Sequence, residues 1–199
     1  MWGNTISYDV GRALMLGGSD RTVNPASINA AYKVDLTNAT PTITATNPMN
    51  FSRTLSNSVV LPTGEVLVIG GNTTGALFND TGAVLPAEIW NPIDESWRVV
   101  AAMTVPRSYH SVAALLKAGR VLSAGGGACG DGCAANHLDG EIYSPGYLFA
   151  ADGSPAERPT ILDAPSESRA GDRFAVQATG NVARFSLIRL SGVSHSTNT

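Results

Sequence analysis

The stretch GEVLVIGGN at residues 64–72 decides the fold of this chain, because it occurs three times in related form. GRALMLGGS begins at Gly11 and GRVLSAGGG begins at Gly119, which gives a period of roughly 50 residues. Each copy is a short apolar run that opens on a glycine and closes on a glycine pair. Such a run, bounded by turn residues, is typical of a β-strand. The fixed period indicates an architecture built from repeated units.

Each repeat carries further strand-like segments. A run headed by arginine precedes the glycine strand, as in FSRTLSNSVVL at residues 51–61 and VPRSYHSVAALL at 105–116, and a segment ending in an aromatic residue follows it, as in AEIW at 87–90. Several short strands per unit fit a four-stranded antiparallel blade of a kelch-type β-propeller. The glycine pairs suit the close approach of inner strands in such a blade. An ordinary β-sandwich with coincidental glycine turns is the alternative.

The sequence therefore predicts an all-β fold. Residues 1–156 are assigned to a partial kelch-type propeller of about three blades. Residues 157–199 are assigned to the first strands of an immunoglobulin-like β-sandwich, with strand-like alternation at 172–178 and 183–190. Closed propellers have about 4 to 8 blades, so we expect the chain to be a fragment of a larger protein.

The charge balance restricts the partners. With 13 Lys and Arg against 16 Asp and Glu, the formal net charge is −3. No long run of one sign recommends a nucleic-acid partner or an anionic membrane surface, and no apolar segment reaches the roughly 18 residues of a membrane span. Sequons for N-glycosylation favour a secreted location and lie at Asn38, Asn50, Asn72 and Asn79. We expect a secreted, extracellular monomer with neither a nucleic-acid nor a membrane partner.

The two cysteines, Cys129 and Cys133, lie in the glycine-rich stretch GGGACGDGCAANH. Their spacing allows a small disulfide ring if the backbone turns suitably, and an oxidising compartment would favour that ring. A pair of free thiols and half of a metal site are the competing interpretations, although zinc would need further ligands.

Tyr109 and His110 are adjacent in a chain with only 3 histidines. Neutral imidazole is a common ligand of copper, zinc and iron, and a phenolate is a hard donor that suits an oxidised metal. Neighbouring side chains of a regular strand face opposite sides, so both could bind one ion only where the chain bends. Pro106 marks a plausible place for a bend. A packed tyrosine beside a surface imidazole is the commoner arrangement for this pattern.

Several longer segments together resemble the galactose oxidase and glyoxal oxidase family. These are copper radical oxidases built on a seven-bladed kelch propeller followed by an immunoglobulin-like domain. The segments are MWGNTISYD, SRTLSNSVVLPTGEVLVIGG, PAEIWNP, VPRSYHSVAALL, GGGACGDGCAANHLDGEIYSPGYLF, GSPAERPTI and LIRLSGVSHSTNT. They run nearly from end to end and resemble the C-terminal portion of the family.

The resemblance implies a copper site. Tyr109 matches the axial Cu²⁺ ligand, which also serves as the catalytic base that takes the substrate proton. His110 and His195 match the two imidazole ligands of the metal. His137 matches a position that is no ligand in the family, so we expect it to be structural and hydrogen-bonded near the cysteine loop.

The resemblance also bears on the surroundings of that site. Cys129 and Cys133 match a family disulfide, and Phe78 matches an aromatic residue of the substrate pocket. Thr22–Val23 and Leu55–Ser56 stand where galactose oxidase has sugar-contacting side chains. The Tyr–Cys radical cofactor of the family matches no residue here and is expected upstream of this chain.

The resemblance implies oxidation of a primary alcohol, an aldehyde or a carbohydrate with O₂, giving hydrogen peroxide. The fragment by itself is expected to be inactive. Two alternatives stay open at this point. One is a non-catalytic kelch propeller module that binds carbohydrate or protein. The other is a redox-silent copper or zinc site.

Overall fold

The regular structure of the chain consists of short β-strands and one turn of 3₁₀ helix at Gly146–Leu148. The computed structural model describes residues 2–19 and 26–188. In chain order the strands are β1 (Asn4–Asp9), β2 (Arg12–Leu16), β3 (Ala31–Asp35), β4 (Thr42–Ala45), β5 (Asn57–Val60), β6 (Val66–Ile69), β7 (Pro86–Trp90), β8 (Trp97–Ala102), β9 (Ser111–Leu115), β10 (Val121–Gly125), β11 (Gly140–Tyr143), β12 (Ile161–Asp163) and β13 (Gln177–Ala178). The predicted all-β class is confirmed. Within these described ranges, no helix has the length and apolar character that a membrane crossing requires.

Two of the three repeats form four-stranded antiparallel sheets. The strand order is β1-β2-β3-β4 in the first sheet and β5-β6-β7-β8 in the second. The third repeat forms a sheet of order β11-β10-β9. In every sheet the strand that leads into the glycine pair is hydrogen-bonded on both sides. These sheets agree with the blade predicted from the repeat, whereas the number of blades stays a prediction.

The main apolar core lies between the first and second sheets. Side chains alternate between the two faces of a strand, and one face of each sheet contributes. The buried members are Ile6, Leu14, Leu16, Ala31, Met49, Val66, Val68 and Trp90. Tyr8 meets Trp90 edge-on, with ring centroids 5.0 Å apart. Full burial of one large aliphatic side chain stabilises the folded state by about 1.5–3 kcal/mol. The packing of these core side chains between the two sheets is therefore a major source of stability.

The glycine pairs let one repeat approach the next closely. The amide of Gly71 donates to the carbonyl oxygen of Arg107 at 2.7 Å. A Cβ at Gly70 would lie 2.3 Å from the same oxygen. The first repeat does likewise, since a Cβ at Gly17 would lie 2.2 Å from the carbonyl oxygen of Arg53. No side chain fits at either position, and the predicted close approach is present.

A buried ion pair joins Arg53 to Glu88, with both side chains fully buried. The guanidinium donates to the Glu88 carboxylate at 2.7 Å and to the carbonyl oxygens of Gly70 at 2.8 Å and Pro86 at 3.1 Å. The carboxylate also accepts from the backbone and side-chain nitrogens of Asn50, at 2.6 and 2.8 Å. Burial lowers the pKa of Arg53 from its ordinary value, and Glu88 opposes that shift. Each charge therefore depends on its partner.

The described residues divide into two compact units, and the second spans Pro145–Leu187. It contains the two-stranded sheet of β12 and β13. Within the strand predicted at 172–178, Gln177–Ala178 forms a strand. No strand is assigned to 172–176 or to 183–188, and residues 189–190 of the second predicted strand lie outside the described residues. From Gly146 to Leu187 no residue is buried, so the alternating apolar side chains of this unit stay partly or largely exposed. The boundary at residue 156 and the immunoglobulin-like character stay predictions.

The first sheet has a second, exposed apolar face. Met15, Tyr32 and Ile43 are exposed by 39%, 41% and 64%. The repeats align Met15 with Val68, which is fully buried in the core between the sheets. The same repeat position is therefore core in one sheet and surface in the other.

We expect the 199-residue chain, produced by itself, to bind an anilinonaphthalene sulfonate dye through this face, since a contiguous apolar patch is unusual on a soluble monomer. Replacing Met15, Tyr32 and Ile43 together by threonine should lower the dye fluorescence measurably, although the exposed apolar side chains of the second unit still bind dye. The matched control replaces Val10 and Ile93 by threonine; they are 90% and 88% exposed and lie in the β1–β2 and β7–β8 turns, outside this face. An equal loss in both variants would contradict the assignment.

The buried ion pair makes a stability prediction. Glu88→Ala should lower the free energy of unfolding of the full-length protein by about 3–5 kcal/mol, because it leaves the Arg53 charge buried without a partner. The control is Glu65→Ala, whose partner Arg98 is half exposed, and which should cost about 0–1 kcal/mol. Urea denaturation of both variants measures the difference, and similar values for the two would show that burial does not control the strength of the Arg53 pair.

Candidate metal and substrate site

Residues 107–111 are fixed by contacts with two glycine-rich segments. Arg107 is fully buried, and its guanidinium donates to the carbonyl oxygen of Gly125 at 2.9 Å. It also forms an ion pair with Asp139 at 3.0 Å. The Arg107 carbonyl is held by Gly71, as described above. The residues that follow, immediately before β9, therefore have a defined position.

The chain bends at His110, as it must if Tyr109 and His110 are to face one site. His110 has a φ of 62°, in the left-handed region that non-glycine residues rarely adopt. The turn is closed by Ser111, whose amide and hydroxyl donate to the carbonyl oxygen of Ser108 at 3.1 and 2.6 Å. The rings of Tyr109 and His110 consequently pack against each other at a tilt, with centroids 3.8 Å apart and planes inclined by 30°.

One backbone carbonyl sets the tautomer of His110. The Nδ1 atom lies 2.7 Å from the carbonyl oxygen of Gly127. A carbonyl only accepts hydrogen bonds, so Nδ1 carries the proton and Nε2 of the neutral ring keeps a lone pair. The amide of Gly127 in turn donates to the carbonyl oxygen of Tyr109 at 2.8 Å. This pattern is the usual support of a metal-binding imidazole.

Phe78 forms an apolar wall beside the two rings. Its centroid lies 5.4 Å from that of Tyr109, with the planes at 69°, and 6.2 Å from that of His110. The ring is 46% exposed, so one part of it packs and another is open to solvent. The structure thus brings together three residues singled out from the sequence: the phenol, the imidazole and the aromatic wall.

A disulfide closes the loop next to Gly127. Cys129 and Cys133 are bonded, with Cα atoms 5.8 Å apart, which confirms the predicted pairing. Asn136 braces the same loop, accepting from the Cys129 amide at 3.1 Å and donating to the Gly130 carbonyl oxygen at 2.7 Å. The loop that borders the His110 support is therefore closed both covalently and by hydrogen bonds.

Other residues of the predicted site fall outside the described ranges. These are His195 and the pair Thr22–Val23. Among residues 2–19 and 26–188, no three His, Cys, Asp or Glu side chains cluster as a metal site would require. The role predicted for His195 stays a prediction.

Comparison with known proteins identifies the family. Residues 15–131 match the family model described as glyoxal oxidase N-terminus, which is more than half of the chain. The chain belongs to the galactose oxidase and glyoxal oxidase family of copper radical oxidases. Galactose oxidase from Gibberella zeae is 36% identical over 100% of this chain, which spans 30% of that protein.

Further relatives support the same family. Aldehyde oxidase GLOX1 from Arabidopsis thaliana is 31% identical over 73% of the chain, which spans 25% of that protein. Among solved structures, a fungal alcohol oxidase of the AA5 family in complex with copper superposes with a TM-score of 0.87. That oxidase is 34% identical, and the match covers 92% of this chain and 39% of the other. The chain thus spans about a third of the length of these relatives.

The donor set fits part of a copper site. An imidazole with a fixed tautomer and a neighbouring phenol are donors that suit Cu²⁺. A full site needs more donors than Tyr109 and His110 provide, and His195 is the candidate named from the sequence.

Two contacts around the site are not predicted by the sequence. Gly127 orients His110 through its carbonyl oxygen, and Asp80 contacts His137 at 3.0 Å. The sequence does carry a signal for Gly127, because the third repeat ends in three glycines where the other two repeats end in two. No local pattern pairs Asp80 with His137, which lie 57 residues apart.

The hydrogen bond between His110 and the Gly127 carbonyl oxygen can be tested in the full-length protein. A Cβ at Gly127 would lie 2.3 Å from the carbonyl oxygen of Ala135, at a φ of 86°. We expect Gly127→Ala to reduce copper affinity about 10–100-fold, the usual effect of disturbing a ligand's hydrogen-bond partner.

Gly130→Ala is the matched control, because Gly130 has a φ of 94° but no atom within 4 Å of its Cβ position. Competition with a chelator measures both affinities. Equal losses would show that backbone strain in the loop, and not displacement of the Gly127 carbonyl, governs copper binding.

Proposed function

We propose that the chain is part of a secreted oxidase that converts primary alcohols or aldehydes with O₂ into the oxidised product and hydrogen peroxide. The observation that carries the proposal is the pair Tyr109 and His110, side by side and with the His110 tautomer fixed. Membership of the copper radical oxidase family supports it.

The metal would be held by Tyr109, His110 and His195, with His195 assigned from the resemblance. Bound copper supplies the redox chemistry and polarises the substrate oxygen. The phenolate oxygen of Tyr109 would accept the hydroxyl proton of the substrate. The oxidation balances for both substrate classes: a primary alcohol, or the hydrate that an aldehyde forms by adding water, loses two electrons and two protons, and O₂ takes up both as hydrogen peroxide. We propose that the Tyr–Cys radical cofactor comes from the part of the protein that precedes this chain.

Substrate choice would depend on the apolar wall. Phe78 is partly exposed beside Tyr109, so a substrate bound there contacts an aromatic surface. Leu55 and Ser56 replace sugar-contacting side chains according to the resemblance. A pocket without amide or imidazole donors at those positions discriminates sugar hydroxyls poorly. We therefore propose a non-sugar alcohol or an aldehyde as the preferred substrate class.

We also propose that the protein is secreted and that its two domains meet between residues 156 and 157. The Cys129–Cys133 disulfide is typical of an oxidising compartment. Asn38 and Asn79, two of the sequon asparagines, are exposed. The propeller would span residues 1–156, and the immunoglobulin-like domain would begin at 157.

A peroxide assay on the full-length, copper-loaded protein tests the proposal with a panel of primary alcohols and aldehydes. Tyr109→Phe should lower the rate about 10²–10⁴-fold, the usual contribution of a positioned base. His110→Ala should lower bound copper, measured by mass spectrometry of the metal.

The control is Tyr32→Phe, because Tyr32 is a 41% exposed tyrosine on β3. It should keep the wild-type rate. A wild-type rate in Tyr109→Phe would exclude Tyr109 as the base, and copper loading without peroxide from any substrate would favour a redox-silent metal site.

A further inference from the structure

The wall residue Phe78 lies on a long loop between β6 and β7, and buried Asn72 organises its base. The side-chain amide of Asn72 donates to the carbonyl oxygens of Asn79 at 3.0 Å and Thr81 at 3.2 Å. Its side-chain oxygen accepts from the amide of Thr74 at 2.8 Å. These bonds fix where the loop begins and ends.

A second contact holds the loop near its tip. Asp80, two residues after Phe78, lies 3.0 Å from Nε2 of His137, and both side chains are partly buried. His137 is itself anchored, because its amide donates to the carbonyl oxygen of Gly126 at 3.2 Å. The Asp80–His137 pair therefore ties the Phe78 loop to the glycine run of the third repeat.

The same glycine run holds both sides of the site in place. Gly127 accepts from the imidazole of His110, and Gly126 accepts from the backbone of His137. The imidazole and the apolar wall are thus positioned from adjacent peptide units. A change in the Asp80–His137 contact would move the wall and leave the support of His110 in place.

We propose that Asp80 and His137 are positioning residues that set Phe78 against Tyr109 and so determine how well the site binds apolar substituents of its substrate. The inference rests on the proposed oxidase function. Neither residue touches the reacting atoms. The effect belongs to substrate binding, because a contact made equally in the ground and transition states changes KM and leaves kcat unchanged.

The kinetic test uses the full-length, copper-loaded protein with benzyl alcohol and glycerol. Asp80→Ala and His137→Ala should each raise KM for benzyl alcohol roughly 10-fold, the scale of a modest loss in an apolar pocket. KM for glycerol and both kcat values should change less than about 2-fold. The double variant should resemble either single one, because the two residues act as a unit.

Conservative variants and a surface control separate positioning from general damage. Asp80→Asn and His137→Gln keep a side chain that can hydrogen-bond across the loops and should restore most of the benzyl alcohol KM. Asp131→Ala removes an exposed carboxylate from the disulfide loop and should behave as wild type. The Cu²⁺ electron paramagnetic resonance spectrum should be unchanged in all variants. A changed spectrum would show that the pair acts through His110 and would overturn the proposal.

Hydrogen exchange tests the positioning independently of activity. Amides of residues 73–82 should exchange at least about 10-fold faster in Asp80→Ala and His137→Ala, because local opening becomes easier. Asp131→Ala should leave them unchanged. If the wild-type protein makes no peroxide, the oxidase function fails while the exchange data still decide whether the pair holds the loop. Unchanged exchange in both alanine variants would overturn the inference.

Discussion

The close approach of Arg107 to Gly70 and Gly71 is the constraint on which the site depends. A side chain at Gly70 would collide with the Arg107 carbonyl oxygen at 2.3 Å, and the Gly71 amide binds that same oxygen. Because Tyr109 follows two residues later, its position is fixed from the preceding repeat. The site is thus built at a contact between repeats, where neither strand geometry nor local propensity alone would place it.

Much of the fold follows from patterns in the sequence. The glycine pairs and their period predict the inner strand of each sheet, because a strand bounded by glycine turns has few other ways to bury its apolar residues. Of the strand predicted at 172–178 only Gln177–Ala178 forms, and no strand is assigned to residues 183–188. Alternation predicts a strand only when a second surface covers its apolar side, and Phe174 and Phe185 are 51% and 57% exposed.

The candidate site could be predicted only in part. Adjacent Tyr109 and His110 are visible in the sequence, and the need for a bend follows from strand geometry. The bend itself occurs at His110 with a positive φ, a conformation that histidine adopts more often than most non-glycine residues but too rarely for the sequence to predict it. Gly127 acts through its carbonyl oxygen, which holds His110. Asp80 acts through a contact with His137, which is distant in the sequence. Such supports depend on how separate loops meet, so they leave little trace in local sequence.

The ring formed by Cys129 and Cys133 lies two residues after the carbonyl that orients His110. Asn136, which braces this ring, also lies against Gly127, since its side-chain oxygen would be 2.6 Å from a Cβ there. Assembly of the imidazole support is therefore coupled to oxidative folding. Chains that mature where thiols stay reduced would lack the covalent closure, and hydrogen bonds such as those of Asn136 would have to hold the loop beside Gly127 without it.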